Sequence, residues 1–300
     1  MKNTFFCKLA VVLLAVFAAS TVSAETKIRI TGTVEWDTLQ IKAQVSLDLV
    51  SAGIRLPSGR TQAELLLGAG YSMLIQPGIF ELQVDSSSTI GDLVNSGEFS
   101  LLQTEALAQG AKSVPPYLSP DFNSLFASYT MQLSSFSAAL IRHNSPSPVI
   151  RTLNPVSSAQ YTGIIIIASE SLPVHGKRSS ALPVPCLFPK IWDSDMNLIY
   201  ERNMLQTRST TMVRYAPLQS IFQNNPSGLT PELTAVVGER PLRIFAEGVF
   251  GINPTDLIID RSDALLIISS EANRRLLTEG RVAIILDDSV LRQEFSAEQN

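Results

Sequence analysis

Apolar and polar side chains alternate without a break over residues 39–49. Leu39, Ile41, Ala43, Val45, Leu47 and Leu49 point one way; Gln40, Lys42, Gln44, Ser46 and Asp48 point the other. A period of two over such a length specifies a strand with one dry face and one wet face. A weaker strand over 27–35 precedes it, joined through Trp36-Asp37-Thr38, so the folded part opens on a hairpin. The apolar row of that hairpin must be covered by a second layer.

The next residues supply one. Pro57-Ser58-Gly59 opens a helix, with Ser58 suited to the N-cap and Ala63, Leu66, Leu67, Tyr71 and Leu74 on one face. Pro77-Gly78 interrupts it. Asp85-Ser86-Ser87-Ser88 is a polar break, after which Ser88 or Thr89 caps a short helix through Val94, and another helix runs from about 99 to 112. Pro115-Pro116 and Pro120 punctuate the chain before a strand over 125–133 and an apolar stretch from Phe136 to Ile141. Ser and Pro over 144–148, then Asn154-Pro155, mark a domain boundary between 144 and 160.

The second half has a different pattern. Gly163 to Ser169 is continuously apolar at its centre, as in a strand buried on both faces. Leu187–Trp192 and Met196–Glu201 read as a hairpin, and Leu242–Phe250 as a further strand. Asp256–Asp260 reads as a strand leading into one helix capped by Ser262, with Asp263 in its first turn and Gly280 at its end. Arg281–Leu286 is a second buried strand, and this tight strand–helix–strand unit predicts a parallel crossover. The fold class expected is therefore mixed, α+β then α/β. A hairpin-plus-helices domain over 25–150 precedes an α/β domain with a mixed sheet over 155–292, and a polar tail follows over 293–300.

Residues 1–24 read as a cleavable signal peptide. Lys2 and Lys8 precede or flank the apolar run Leu9–Ala19, and Val22-Ser23-Ala24 places the cut between Ala24 and Glu25. The run is too short to span a bilayer, which takes about 20 residues. Cys7 precedes the run and so is not a lipidation cysteine; no other segment is long enough to cross a membrane. Removing the leader leaves 21 basic against 27 acidic residues, a net charge of −6. A chain of that charge, with no basic block, lacks the footprint of a nucleic-acid binder. The remaining thiol, Cys186, lies in an apolar run and reads as buried.

Signatures of chemistry are absent. There is no HExxH, CxxC, GxSxG or SxxK. Asp193-Ser194-Asp195-Met196-Asn197 imitates the start of a calcium loop, but Leu198 stands where Gly is needed and Met204 where a bidentate Glu belongs. No catalytic residue, metal site or cofactor is assigned. Two candidate contact sites remain. His175, Lys177 and Arg178 form the one compact basic cluster, in a loop after the Ile164–Ile167 strand, suited to an acidic ligand or partner. Asp287 and Asp288 follow a buried strand, where α/β sheets place ligands, although strands ordinarily end where polar residues begin.

Residues 28–133 resemble the envelope lipoprotein family that includes FlgP, the protein of flagellar outer-membrane rings. The resemblance lies in a strand pair, a long helix, the turn Val84-Asp85-Ser86-Ser87-Ser88-Thr89-Ile90-Gly91-Asp92-Leu93-Val94 and a returning strand. The second half resembles a segment of uncharacterised exported bacterial proteins related to that family. It carries Tyr161-Thr162-Gly163-Ile164-Ile165-Ile166, Pro185-Cys186-Leu187-Phe188-Pro189-Lys190-Ile191, Val237-Gly238-Glu239-Arg240-Pro241-Leu242, Thr255-Asp256-Leu257-Ile258-Ile259 and Arg281-Val282-Ala283-Ile284-Ile285-Leu286-Asp287 in that order. The resemblance implies a periplasmic or outer-envelope protein that is not an enzyme and works through contacts with envelope proteins, including flagellar or outer-membrane components. The chain departs from the ring-forming members in having no lipobox. The alternative expectation is a periplasmic module that binds a small ligand.

Overall fold

The computed structural model describes residues 28–207 and 209–299. The expected leader and its cut at Ala24–Glu25 lie outside the described residues. The hairpin forms as expected from β1 (Ile28–Glu35) and β2 (Gln40–Asp48). Ile41, Ala43, Val45 and Leu47 are all buried, so the period-two row is the core face.

Helices α1 (Arg60–Leu74), α2 (Gln76–Phe80), α3 (Ile90–Asn95) and α4 (Leu101–Gln109) follow. The N-cap of α1 is Gly59, not Ser58, and no side chain caps it. Thr89 and Asp92 cap α3 reciprocally, as do Ser100 and Gln103 for α4. Two short strands, β3 (Lys112–Ser113) and β4 (Tyr117–Leu118), lie against β5 (Ser124–Gln132). The apolar stretch after it is the helix α5 (Leu133–Leu140). No helix or strand occurs over 141–163, the stretch that contains the expected boundary. That segment is nevertheless fastened. Asn273, 1 % exposed, accepts from the Tyr161 amide and donates to Ser158 Oγ and the Ala159 carbonyl.

The second half is a seven-stranded mixed sheet in the order β10-β9-β13-β12-β6-β14-β11. Its strands are β6 (Ile164–Ile167), β9 (Ile191–Asp193), β10 (Leu198–Tyr200), β11 (Arg214–Pro217), β12 (Leu242–Phe250), β13 (Asp256–Ile259) and β14 (Val282–Leu286). A separate small pair, β7 (Leu172–Pro173) and β8 (Ser180–Ala181), carries the basic loop between its strands. The helices are α6 (Pro231–Val237), α7 (Arg261–Ile268) and α8 (Glu271–Thr278). β6 lies between β12 and β14, parallel to both. Its residues serve two cores: Ile164 and Ile166 join the main cluster, whereas Ile165 packs with Leu233, Val237 and Ile285 on the other face.

Three expectations are corrected. The helix read from Ser262 to Gly280 is two helices, broken at Ser269-Ser270, residues that compete for backbone hydrogen bonds; its cap is Asp260, which accepts from the Ser262 amide at 2.7 Å. β13 and β14 do not form a parallel crossover. Both β12 and β6 separate them, and β13 is antiparallel to β12, so the two run in opposite directions. The polar tail expected over 293–300 is instead a strand, β15 (Arg292–Gln299), paired antiparallel along the whole of β1. Phe295 anchors it over two glycines: a methyl group on Gly78 would come within 2.7 Å of that ring, and one on Gly32 would come closer still. The first sheet therefore runs β15-β1-β2-β5-β3, with β4 also on β5, and draws on both ends of the described chain.

Candidate functional site

Because β15, β1, β2 and β5 all alternate and pair antiparallel, their outward residues fall into straight rows across the sheet. One row is Glu294, Thr33, Lys42 and Thr130, and the next is Ser296, Thr31, Gln44 and Ser128. These two rows line a trough of about 700 Å³ on the wet face. Its polar groups are hydroxyls, an amide, one ammonium and one carboxylate, and the intervening row of Gly32, Ala43, Tyr129 and Phe295 also lines it; the two polar rows are suited to hydrogen-bonding an extended polar partner.

Local contacts hold the rows in place. Lys42 Nζ lies 2.7 Å from Glu35 Oε2. The hydrogen bond from Lys42, against the opposing effect of partial burial and with help from Thr38, holds the Glu35 carboxyl below the ordinary carboxylate range. Gln44 Nε2 donates to Tyr117 Oη at 2.7 Å, and the Tyr117 ring stacks on Phe126 with centroids 5.5 Å apart. Arg29 pairs with Glu298 at 3.0 Å.

The residues singled out in the sequence are placed elsewhere and are not brought together. His175, Lys177 and Arg178 are exposed in the β7–β8 loop. The His175 amide donates to the Val249 carbonyl at 2.8 Å, and its ring meets the edge of Phe250 at 5.9 Å, with Trp192 at the same distance on from Phe250. Asp287 and Asp288 follow β14. Asp287 caps a 3-10 turn over 288–290, accepting from the Ser289 amide at 2.9 Å and from its hydroxyl. These bonds hold the Asp287 carboxyl low. Asp288 accepts from Gln219 Nε2 at 3.1 Å. Among the described residues, no hydrogen bond or ion pair links this acid pair to the basic loop. The Asp193 carboxylate is occupied by the amides of Asp195 and Asn197 at the hairpin tip, which accounts for the calcium-loop imitation. No group of three or more His, Cys, Asp or Glu among the described residues is arranged to hold a metal ion. None of their helices is long and apolar enough to cross a membrane.

A second polar constellation was not foreseen. The turn after Val84 docks on the second sheet: Leu187 and Phe188 amides donate to the Gln83 and Val84 carbonyls, and Asn253 to the Ser86 carbonyl. Ser86 Oγ donates to Asp256 Oδ2 at 3.1 Å, and the Lys190 amide to Oδ1 at 3.1 Å. Burial raises the Asp256 carboxyl above its ordinary range against these bonds. Nearby, Tyr215 and Cys186 exchange hydrogen bonds, and burial pushes the Cys186 thiol up. Both halves of this clamp lie in the runs that carried the family resemblance, but nothing in either run shows that they meet.

Residues 27–139 match the family model described as the N-terminal domain of Treponema pallidum Tp0624, and residues 163–288 match the model of its second domain. No curated protein matches the chain. The two matched segments follow the order of those domains, and β15 of the first sheet lies beyond both. Each half of the chain is thus similar to one domain of a bacterial protein, and the similarity is shown domain by domain.

Proposed function

We propose that this chain is an exported cell-envelope protein that acts by holding other proteins, not by catalysis, and that the wet face of its first sheet is the contact surface. The observation carrying this reading is the trough, whose two rows of hydroxyl, amide and charged groups cross four strands in register. Such a face offers many fixed hydrogen-bonding groups over a broad area, as the polar part of a protein interface does. The leader in the sequence supports an envelope location, and the resemblance to FlgP-type proteins favours partners in the outer membrane or flagellar apparatus. The second reading, a small-ligand module, draws on the His175, Phe250 and Trp192 surface.

The test is site-specific photo-crosslinking in intact cells. A crosslinker at Thr31 or Ser128 is expected to capture outer-membrane or flagellar-ring components, and Lys42→Glu is expected to reduce that capture about tenfold. Adducts at neither position, with a small molecule copurifying and released by His175→Ala, would overturn the contact reading in favour of the second.

A further inference from the structure

The outer edge of β15 has no strand against it among the described residues. Its inner edge is paired with β1 from Ile28↔Gln299 to Glu35↔Arg292. An open edge spanning roughly 27 Å is a ready template for a further strand. β15 has no Pro, no Lys and no register shift against β1, so the charges that guard its edge are Arg292, Glu294 and Glu298, and any strand that pairs there must match them.

We propose that β15 pairs with β15 of a second copy of this chain, antiparallel about a two-fold axis at Phe295. The argument is charge complementarity by register. Centring on Phe295 sets Arg292 opposite Glu298 twice, Glu294 opposite Ser296 twice and Gln293 opposite Ala297 twice, using residues 292–298 of each copy. A centre at Glu294 sets that carboxylate against itself, and a centre at Ser296 sets Glu294 against Glu298 twice. A centre at Gln293 or Ala297 shortens the overlap. Like charges directly opposite one another destabilise a pair, and opposite charges stabilise it. Glu298 already meets Arg29 of its own chain at 3.0 Å, so the second copy's Arg292 would complete a cation–carboxylate–cation row. The partner strand is the same surface used twice, which closes the assembly as a dimer.

This pairing joins two six-stranded sheets into one. In an antiparallel pair, directly opposite residues share a face, so Glu294 and Ser296 of both copies lie on the same side. The two polar troughs then become one continuous surface. The inference goes beyond the contact reading and stands or falls separately from it: a dimer without captured partners, or captured partners without a dimer, is a distinct result.

The test is sedimentation velocity across a range of concentrations, with the parent chain and two charge reversals. The parent is expected to dimerise. R292E alone and E298R alone each place like charges opposite one another twice, and are expected to dimerise at least about tenfold more weakly. Mixing R292E with E298R restores opposite charges at both ends and is expected to restore dimerisation as a heterodimer. A parent that stays monomeric at its solubility limit overturns the proposal, as does a mixture no better than its components. Should a reversal fail to fold, hydrogen exchange of the parent decides: amides over 293–298 must become protected as concentration rises, and unchanged exchange there refutes the dimer.

Discussion

The two sheets solve the same burial problem in opposite ways. The first is all antiparallel, covers one face with helices and leaves the other in water. The second is mixed, and its interior strand β6 is buried on both faces, with alternate isoleucines serving separate cores. The wet face of the first is therefore free to vary for recognition, whereas each residue of β6 is committed to packing. On the contact reading proposed above, this division would let one sheet carry the contact surface and the other act as its mount.

The sharpest way to break that comparison is to truncate one outward residue of the first sheet and one buried residue of the second to alanine. Ile166→Ala deletes a fully buried side chain in the parallel centre of the second sheet and is expected to cost about 3 kcal/mol, within the usual range for buried Ile to Ala. Thr31→Ala removes an exposed hydroxyl from the first sheet's wet face and is expected to change stability by less than about 0.5 kcal/mol. Denaturant titration of both variants measures the contrast. Equal losses would mean that the wet face is structural and not a surface reserved for partners.

The clamp between the sheets sharpens the comparison through pH. Asp256, on the second sheet, is raised by burial, so the folded chain binds its proton more tightly than the unfolded chain does. Its contribution is greatest below the unfolded value of about 4 and is lost as pH rises through the folded value. Asp85, on the turn of the first unit, is also raised by burial, but hydrogen bonds from the Ser87 and Ser88 amides and hydroxyls outweigh this and lower it. Its contribution is present above about pH 4 and is lost as pH falls through the folded value. Melting temperatures recorded from about pH 3 to 7 should show opposite changes of slope. Asp256→Asn removes a loss of stability with rising pH, and Asp85→Asn removes a loss with falling pH. Slopes that change in the same sense for both variants would show that the clamp does not hold the two acids in opposite environments.

What could be read from the chain beforehand follows from where each pattern gets its meaning. The alternation over 39–49 and the apolar run at Ile164–Ile167 are local, and each names its own burial. Gly280 stops α8 at φ 67°, a left-handed value that its lack of a Cβ makes easy. β15 was illegible because its own pattern is polar; what seats it is the space over Gly32 and Gly78, far away in sequence. The reading of β13 and β14 as a parallel crossover failed for a related reason. A short path over α7 and α8 fixes the length of a connection, but not which strands fill the sheet between its ends. The candidate trough was half visible: Lys42 and Gln44 were correctly assigned to a wet face. Their row partners Thr130, Ser128, Glu294 and Ser296 are set by register with strands from elsewhere in the chain. The basic loop and Asp287-Asp288 drew notice as local clusters, yet the structure gives the acids to a capping turn and leaves the two clusters apart.

The smallest effects should erase the comparison altogether. Arg29 pairs with Glu298 across strands of the first sheet, and Arg275 pairs with Glu271 one turn apart on α8 beside the second. Both arginine side chains are more than half exposed, at 55% and 69%. Water and salt screen such pairs, and holding two long side chains in register costs entropy, so each is worth about 0.2–1 kcal/mol at most. Arg29→Ala and Arg275→Ala are therefore expected to destabilise by similar small amounts, and the difference from the parent should shrink further as salt is added. If urea midpoints at low and high salt agree with this, the contrast between the sheets resides in burial. A loss for Arg29→Ala that is several times larger and resists salt would place part of the first sheet's stability in its edge pairing, and the wet face would then be less free than its exposure implies.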